Sequence, residues 1–227
     1  MRKLNREVAR RSVVLLKNEN HILPLDKKKL HTIGVIGPNA DSRKALVGNY
    51  EGTSSRYITV LEGIEDYVGE NVRVLYSEGC HLYRDRTSNL AMEHDRDSEV
   101  RAVCEASDVV IAVVGLDATL EGEEGDTGNE YGSGDKPNLN LPGLQPDIIR
   151  IAKESGKPVI VVLLPEVRWL FPGRMNTLTQ FLTVFTRVRR AGLPLQRFYL
   201  EGQTQKENFR LRFIRQPRNC RSLKTMR

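Results

Sequence analysis

Two stretches decide the fold of this 227-residue chain: Thr32-Ile33-Gly34-Val35-Ile36-Gly37-Pro38 and Asp108-Val109-Val110-Ile111-Ala112-Val113-Val114-Gly115. Each is a run of apolar, mostly β-branched residues that is closed by glycine or proline. This pattern is typical of a strand that is buried on both faces. Such strands occur mainly in parallel sheets, because the crossover connections place helices on each side. The two stretches therefore predict an α/β protein.

The segments around these strands alternate between helical and extended patterns. Helices are predicted at residues 5–18, 59–67, 98–106 and 144–155, and further strands at 72–77 and 158–164. Right-handed crossovers between such strands cover both faces of the sheet. We therefore expect a three-layer α/β/α sandwich with a mainly parallel sheet at residues 31–164, after a linker helix within residues 1–30.

The net charge of +6 is unevenly distributed along the chain. Residues 165–227 carry 14 Lys and Arg against 3 Asp and Glu, which leaves 21 against 26 for residues 1–164. A basic excess often indicates a nucleic-acid partner, but this excess is confined to the tail. We therefore expect neither a nucleic-acid nor a membrane partner. No apolar run reaches the roughly 20 residues of a membrane helix, and Met1 does not open a signal peptide, so a soluble, cytoplasmic chain is expected.

The sequence offers little sign of a metal or a cofactor. The three cysteines, Cys80, Cys104 and Cys220, are widely spaced and odd in number, which favours reduced thiols over a disulfide framework or a zinc site. The histidines have no metal-ligand spacing and are expected at surface or turn positions: His21, His31, His81 and His94. The glycines of the first strand lack the G-x-G-x-x-G spacing of a dinucleotide site. We expect no cofactor and no metal.

The loop after the third predicted strand is the candidate site, because ligands of parallel sheets bind beyond the carboxyl ends of the strands. Within residues 116–141, four carboxylates occupy six positions: Glu121, Glu123, Glu124 and Asp126. Like charges this close raise the pKa of at least one of them toward the range of a general acid. Composition alone favours a solvated acidic loop or an adventitious cation site over a catalytic one.

A colinear set of motifs resembles the second domain of glycoside hydrolase family 3. In chain order the motifs are SVVLLKN at 12–18 with LPL at 23–25, IGVIGP at 33–38, GNY at 48–50, TVLEGI at 59–64, EGC at 78–80, ASDVVI at 106–111, GL at 115–116, EGE at 121–123, GD at 134–135, LNLPGLQ at 139–145 and GKPVI at 156–160. The resemblance covers residues 1–164 almost without a gap.

The resemblance implies a function for the loop. The family consists of retaining exo-glycosidases such as β-glucosidases and β-xylosidases, which act on terminal β-linked sugars of glycosides and oligosaccharides. Its nucleophile lies on a preceding (β/α)8 barrel, and the sandwich domain supplies the acid/base carboxylate. By position in the motif, that role falls to Glu121, with Glu123 as the fallback. Gly134-Asp135-Lys136 stands where the family has Gly-Asp-Arg, with Lys136 in place of the arginine. By this resemblance, Asp135 and Lys136 are expected to contact substrate.

Two departures from the family pattern limit this expectation. Met1 falls in the linker that precedes the second domain, so the sequence contains no barrel and no nucleophile. We expect the chain to be a fragment that is inactive alone. The alternative is a non-catalytic sugar-binding or barrel-docking domain of a split enzyme. The second departure begins at Pro165, where the family's next motifs do not appear.

A change of reading frame restores those motifs. If each codon of the tail starts one base earlier, the junction of Met175 and Asn176 must read GAA, because Met175 is ATG and Asn176 begins AA. With permitted codons, residues 172–177 can then encode Trp-Ala-Asp-Glu-His, residues 185–193 Tyr-Pro-Gly-Ala-Gln-Gly-Gly, and residues 203–210 Asn-Pro-Glu-Gly-Lys-Leu-Pro. We therefore expect a one-base frameshift near residues 164–165 and a poorly ordered tail at 165–227.

Overall fold

The described part of the chain forms a six-stranded sheet with helices on both faces. The structure is a computed structural model that describes residues 13–47, 53–117, 119–120 and 140–164, and the backbone of 180–184. The strands are β1 (Val13–Asn18), β2 (Thr32–Ile36), β3 (Arg73–Ser77), β4 (Val109–Gly115), β5 (Val159–Leu164) and β6 (Gln180–Val184). Their order across the sheet is β1-β6-β5-β4-β2-β3, with β1 antiparallel to β6 and the other pairs parallel. The predicted α/β sandwich with a mainly parallel sheet is confirmed.

Three α-helices flank the sheet: α1 (Val60–Val68), α2 (Asp97–Glu105) and α3 (Gln145–Glu154). Their bounds lie within one residue of the predicted ones. Helix α1 begins after Thr59, whose side chain accepts a hydrogen bond from the Glu62 N–H at 3.1 Å, a standard N-cap. It ends at Gly69, which has a φ of +61°. Helix α3 has proline in its first turn, where the missing N–H costs nothing.

Strict alternation along the central strands gives the molecule two cores. In β4, Val109, Ile111 and Val113 face the side of α1, and Val110, Ala112 and Val114 face the side of α2 and α3. All seven residues of β4 are buried, as are all six of β5. Each buried aliphatic side chain contributes about 1.5–3 kcal/mol of transfer free energy. The two cores explain why these strands read as continuous apolar runs in the sequence.

The first strand corrects a sequence prediction. Residues 13–18 were expected to be the end of a helix, but they form β1, which pairs with β6. The apolar run from Val13 to Leu16 fits a helix face and a strand equally well, and only tertiary pairing decides between them. Val13 and Leu15 pack into the α1-side core and Leu16 into the opposite one, which is the alternation of a strand. Residues 1–12 lie outside the described residues.

One short part of the predicted tail is described. The backbone of Gln180–Val184 forms β6, which lies between β5 and β1. The rest of 165–227 lies outside the described residues, so the poorly ordered tail stays a prediction. Within the described part of the chain, Cys80 and Cys104 are buried and free, and Cys220 lies outside it. His21, His31 and His94 are exposed and His81 is half-buried.

Candidate active-site loop

The loops that follow β2, β3 and β4 meet at the carboxyl edge of the sheet. Gly37, which follows β2, has a φ of +115° and donates its N–H to the Ser77 carbonyl oxygen at 3.1 Å. A side chain at Gly37 would collide with the backbone of Val113 on β4. The same arrangement recurs one strand further on, where Gly115 has a φ of +140° and lies against the backbone of Leu164. Glycine at both positions lets neighbouring strand ends approach closely.

The acidic loop leaves the sheet through a buried turn. The Leu116 N–H donates to the Leu164 carbonyl oxygen at 3.1 Å, and both Leu116 and Leu120 are fully buried. Between them, the Asp117 carboxylate accepts hydrogen bonds from the N–H and the hydroxyl of Thr119. The Leu120 N–H donates to the Asp117 carbonyl oxygen at 3.1 Å. Because Glu121 follows Leu120 directly, this turn fixes where the carboxylate-rich segment starts.

A single buried amide holds the start of the loop. Gln145, the first residue of α3, has no exposed surface. Its Oε1 accepts from the Gly115 N–H at 2.8 Å, and its Nε2 donates to the Gly115 carbonyl oxygen at 2.9 Å and to the Leu82 carbonyl oxygen at 2.6 Å. The amide thereby links β4, α3 and the segment after β3. A second amide supports the next residue, because Asn39 Nδ2 donates to the Leu116 carbonyl oxygen at 2.9 Å.

The end of the loop is held against the segment after β3. Gly143 has a φ of +51° and lies against the backbone of Tyr83, so that a Cβ atom there would stand 2.7 Å from the Tyr83 carbonyl oxygen. The His81 Nδ1 accepts from the Tyr83 N–H at 3.2 Å and from the Arg84 N–H at 3.1 Å, which folds that segment into a tight turn. The turn that contains Tyr83 and the chain at Gly143 are therefore in close contact.

Near the segment after β3, Arg96 is paired with two carboxylates, and the thiol of Cys80 is unreactive. Arg96 contacts Glu78 at 2.7 Å and Glu99 at 2.9 Å. The hydrogen bond from Arg96 holds the pKa of Glu99 below its usual range. Burial raises the pKa of Cys80, which follows β3, to about 12. A thiol with such a pKa is not a nucleophile at neutral pH.

The sequence-predicted site residues lie outside the described residues. Glu121, Glu123, Asp135 and Lys136 fall within 121–139, and the structure describes the chain on either side of that segment. It brings the two ends of the loop together at Gly115 and Gln145. Among the residues that the structure describes, no group of three or more potential metal-ligating side chains could hold a metal ion.

The sequence prediction missed the two supporting amides. Gln145 is the last residue of the LNLPGLQ motif, and Asn39 directly follows the IGVIGP motif. Neither residue was given a role. A usable signal existed for Gln145, because Gln145, Ile148, Ile149 and Ala152 follow the spacing of one helix face. A polar residue in an apolar stripe is buried, and a buried amide requires hydrogen-bond partners. No comparable periodicity marks Asn39, which follows a strand in an irregular turn.

Residues 13–169 match the family model described as the glycosyl hydrolase family 3 C-terminal domain. The chain belongs to glycoside hydrolase family 3. It is 34% identical over 164 residues to a β-xylosidase of Formosa agariphila, a match that covers 70% of this chain and 20% of the relative. It is 37% identical over 178 residues to a periplasmic β-glucosidase of Salmonella typhimurium, covering 72% and 22%. The chain thus spans about a fifth of the length of these curated family 3 relatives.

Solved structures of the family have the same fold. A family 3 exo-β-xylosidase in complex with a xylobiose aziridine probe superposes with a TM-score of 0.67 at 26% identity, over 85% of this chain and 22% of that one. A β-glucosidase from Listeria innocua in complex with glucose gives a TM-score of 0.64 at 25% identity, over 85% and 24%. Within the described residues, no helix has the length and hydrophobicity needed to cross a bilayer.

Proposed function

We propose that this chain is the α/β-sandwich domain of a retaining exo-β-glycosidase of the β-glucosidase or β-xylosidase type. Its loop supplies the acid/base carboxylate to a (β/α)8 barrel that carries the nucleophile. The observation that carries the proposal is the family match over 13–169, which includes the whole acidic loop, together with the fixed turn that delivers the chain to Glu121. The partners are therefore a barrel domain and a terminal β-linked sugar.

Retention of configuration requires two carboxyl groups about 5 Å apart, on either side of the scissile bond. A domain interface can provide that spacing when one group stands on each domain. We assign the acid/base role to Glu121, with Glu123 as the fallback. Glu121 lies one residue beyond the fully buried Leu120, so its backbone is attached to a fixed point. We assign substrate contacts to Asp135 and Lys136 further along the same loop.

The assignment is tested with the full chain and a separately expressed family 3 barrel. Alone, these 227 residues are expected to release nothing from aryl β-glucosides or β-xylosides, since the proposed nucleophile lies on the barrel. With the barrel, Glu121→Gln should lower kcat for phenyl glycosides about 10²- to 10⁴-fold, the usual contribution of general acid catalysis. Glu123→Gln is the matched control.

Leaving-group dependence separates the acid/base role from a structural one. A 2,4-dinitrophenyl glycoside needs no proton, so its glycosylation step should be nearly unaffected in Glu121→Gln. Added azide should then rescue turnover and yield the β-glycosyl azide. If the assembled enzyme is active and Glu123→Gln shows this behaviour instead, the role moves to Glu123. Release by the chain alone that Glu121→Ala abolishes would overturn the two-domain proposal.

We also propose that residues 165–227 are translated out of frame. The proposal is supported by the reversed charge of the tail and by the three family motifs that the earlier frame restores. Sequencing the locus tests it, since one corrected base near codons 164–165 should give all three motifs in order. A locus in which no single-base change restores them would refute the frameshift and leave the basic tail authentic.

A further inference from the structure

Gln145 stands where the two ends of the acidic loop meet. Residues 116–144 leave the sheet at Gly115 and return at the first residue of α3, so the amide of Gln145 closes the loop on itself. Two of its hydrogen bonds, at 2.8 and 2.9 Å, go to the two polar atoms of Gly115. From this geometry we propose that Gln145 is the positioning residue of the acid/base loop. The proposal rests on the proposed function of that loop.

The Gln145 amide is fully used in this position. Its carbonyl oxygen accepts one N–H, and its two N–H groups donate to the carbonyl oxygens of Gly115 and Leu82. Among natural side chains of this length, only an amide offers a donor and an acceptor group side by side. A carboxylate would set a negative oxygen against two carbonyl oxygens, and a thioether would leave all three backbone groups buried without a partner.

The other supports of the loop hold one end each. Asn39 ties the Leu116 carbonyl oxygen to the turn after β2, and Gly143 packs the returning chain against Tyr83. Gln145 differs from both, because it belongs to α3, where the loop ends, and bonds Gly115 at the end of β4, where the loop begins. Fixing both ends of a loop reduces the number of conformations that the segment between them can adopt.

Positioning acts on the chemical step more than on binding. A displacement of about 1 Å in a catalytic group costs about 10²-fold in rate. Asp135 and Lys136, the substrate contacts assigned above, belong to the same loop, so loosening it should also weaken binding to some extent. The proton transfer assigned to Glu121 needs the stricter geometry, so loosening the loop should lower kcat more than it raises KM.

The first test follows backbone hydrogen exchange in the full chain. Replacing the amide by an apolar group of similar size, Gln145→Met, should accelerate exchange of the Gly115 and Leu116 N–H groups about tenfold or more. Ser107→Ala is the matched control. Ser107 is equally buried and loses a hydrogen bond to Val103, but it lies at the opposite edge of the sheet. Unchanged exchange at Gly115 in Gln145→Met would overturn the proposal.

The conservative variant Gln145→Glu gives a pH signature that loss of stability alone does not produce. One oxygen of the introduced carboxylate would face the carbonyl oxygens of Gly115 and Leu82, so its protonated form is favoured over the charged one. The protonated carboxyl group restores one of the two lost donors. The protection factor of the Gly115 N–H, which is its intrinsic exchange rate at each pH divided by the observed rate, should rise as the pH falls from about 7 to about 5. Gln145→Met should show no such recovery. A pH-independent Gln145→Glu would count against the positioning role.

Kinetics with the barrel complete the test. In the assembled enzyme, Gln145→Met should lower kcat about 10- to 100-fold with a smaller rise in KM, and Ser107→Ala should leave kcat intact. An active assembly in which Gln145→Met keeps full kcat refutes the positioning role and leaves the glycosidase proposal standing. An assembly that is inactive with the unaltered chain counts against the proposed function, and hydrogen exchange still decides whether Gln145 holds the loop.

Discussion

Gly115 lies against Leu164 so closely that a Cβ atom at Gly115 would overlap the Leu164 carbonyl oxygen, at a φ of +140°. The contact joins the ends of β4 and β5 at the point where the acidic loop departs. We expect Gly115→Ala to lower the free energy of unfolding by about 3 kcal/mol or more, because it adds a backbone collision to an unfavourable φ. Urea denaturation followed by circular dichroism measures the change.

Gly156→Ala is the control for this prediction. Gly156 also has a positive φ, +71°, but a Cβ atom there would meet nothing within 4 Å. Its cost should be limited to the left-handed conformation, about 1–2 kcal/mol. Equal losses in the two variants would show that the approach of Gly115 to Leu164 is not a constraint on the fold.

The Asp108 carboxylate makes the domain sensitive to acid. Its Oδ2 accepts from the His31 N–H at 2.7 Å and the Thr32 N–H at 2.9 Å, at the start of β2. The hydrogen bonds from Thr32 and then His31 hold the pKa of Asp108 below its usual range. Since the folded pKa is the lower one, this stabilisation is complete above the unfolded pKa and is lost as the pH falls through the folded one.

Asp108→Ala should therefore lower the free energy of unfolding by about 1 kcal/mol at pH 7, a modest value because the carboxylate is solvent-exposed. The difference from the unaltered chain should shrink as the pH falls below about 4. Asp108→Asn keeps an acceptor oxygen and should lose less at neutral pH. Thermal unfolding across a pH series measures all three. A difference that grows in acid would contradict the assigned direction.

Buried thiols should make the chain resistant to thiol reagents. Burial raises the pKa of Cys80 to about 12 and that of Cys104 to about 11. Because the protonated thiol is favoured in the folded state, its stabilisation is present at neutral pH and is lost as the pH rises above about 8.5. In a Cys220→Ser variant, labelling by an aromatic disulfide at pH 7 should proceed only at the rate of unfolding. Rapid labelling of the folded chain would refute this.

Strand β6 should be needed for the sheet even if its sequence is out of frame. It pairs with β5 on one side and β1 on the other, so a chain that ends at Leu164 loses both pairings. The exposed edge of β5 should then cause aggregation, seen as light scattering during refolding. A chain that ends at residue 190 keeps β6 and is the control. Similar solubility of the two chains would mean that β6 does not protect this edge.

The sequence reveals β2, β4 and β5 because each is apolar on both faces and bounded by glycine or proline. It conceals β1, because the apolar residues from Val13 to Leu16 fit the repeat of a helix as well as that of a strand. The partner strand, which decides between them, lies far along the chain. The acidic loop is visible from composition, and the acid/base role proposed for Glu121 rests only on the family resemblance. The clamp by Gln145 depends on which backbone atoms come within 3 Å, which spacing along the chain does not specify.

The order of strands has a consequence during translation. β1 is synthesised before the other described strands, yet its described partner is β6, with Asn18 opposite Gln180. The four central strands can assemble as soon as Leu164 is available, but β1 stays without a partner for a further stretch of synthesis. At about 5–20 residues per second, the interval between the two strands lasts many seconds. Until Val184 has been synthesised, β1 therefore remains an extended segment without its partner strand, which is the kind of segment that chaperones bind.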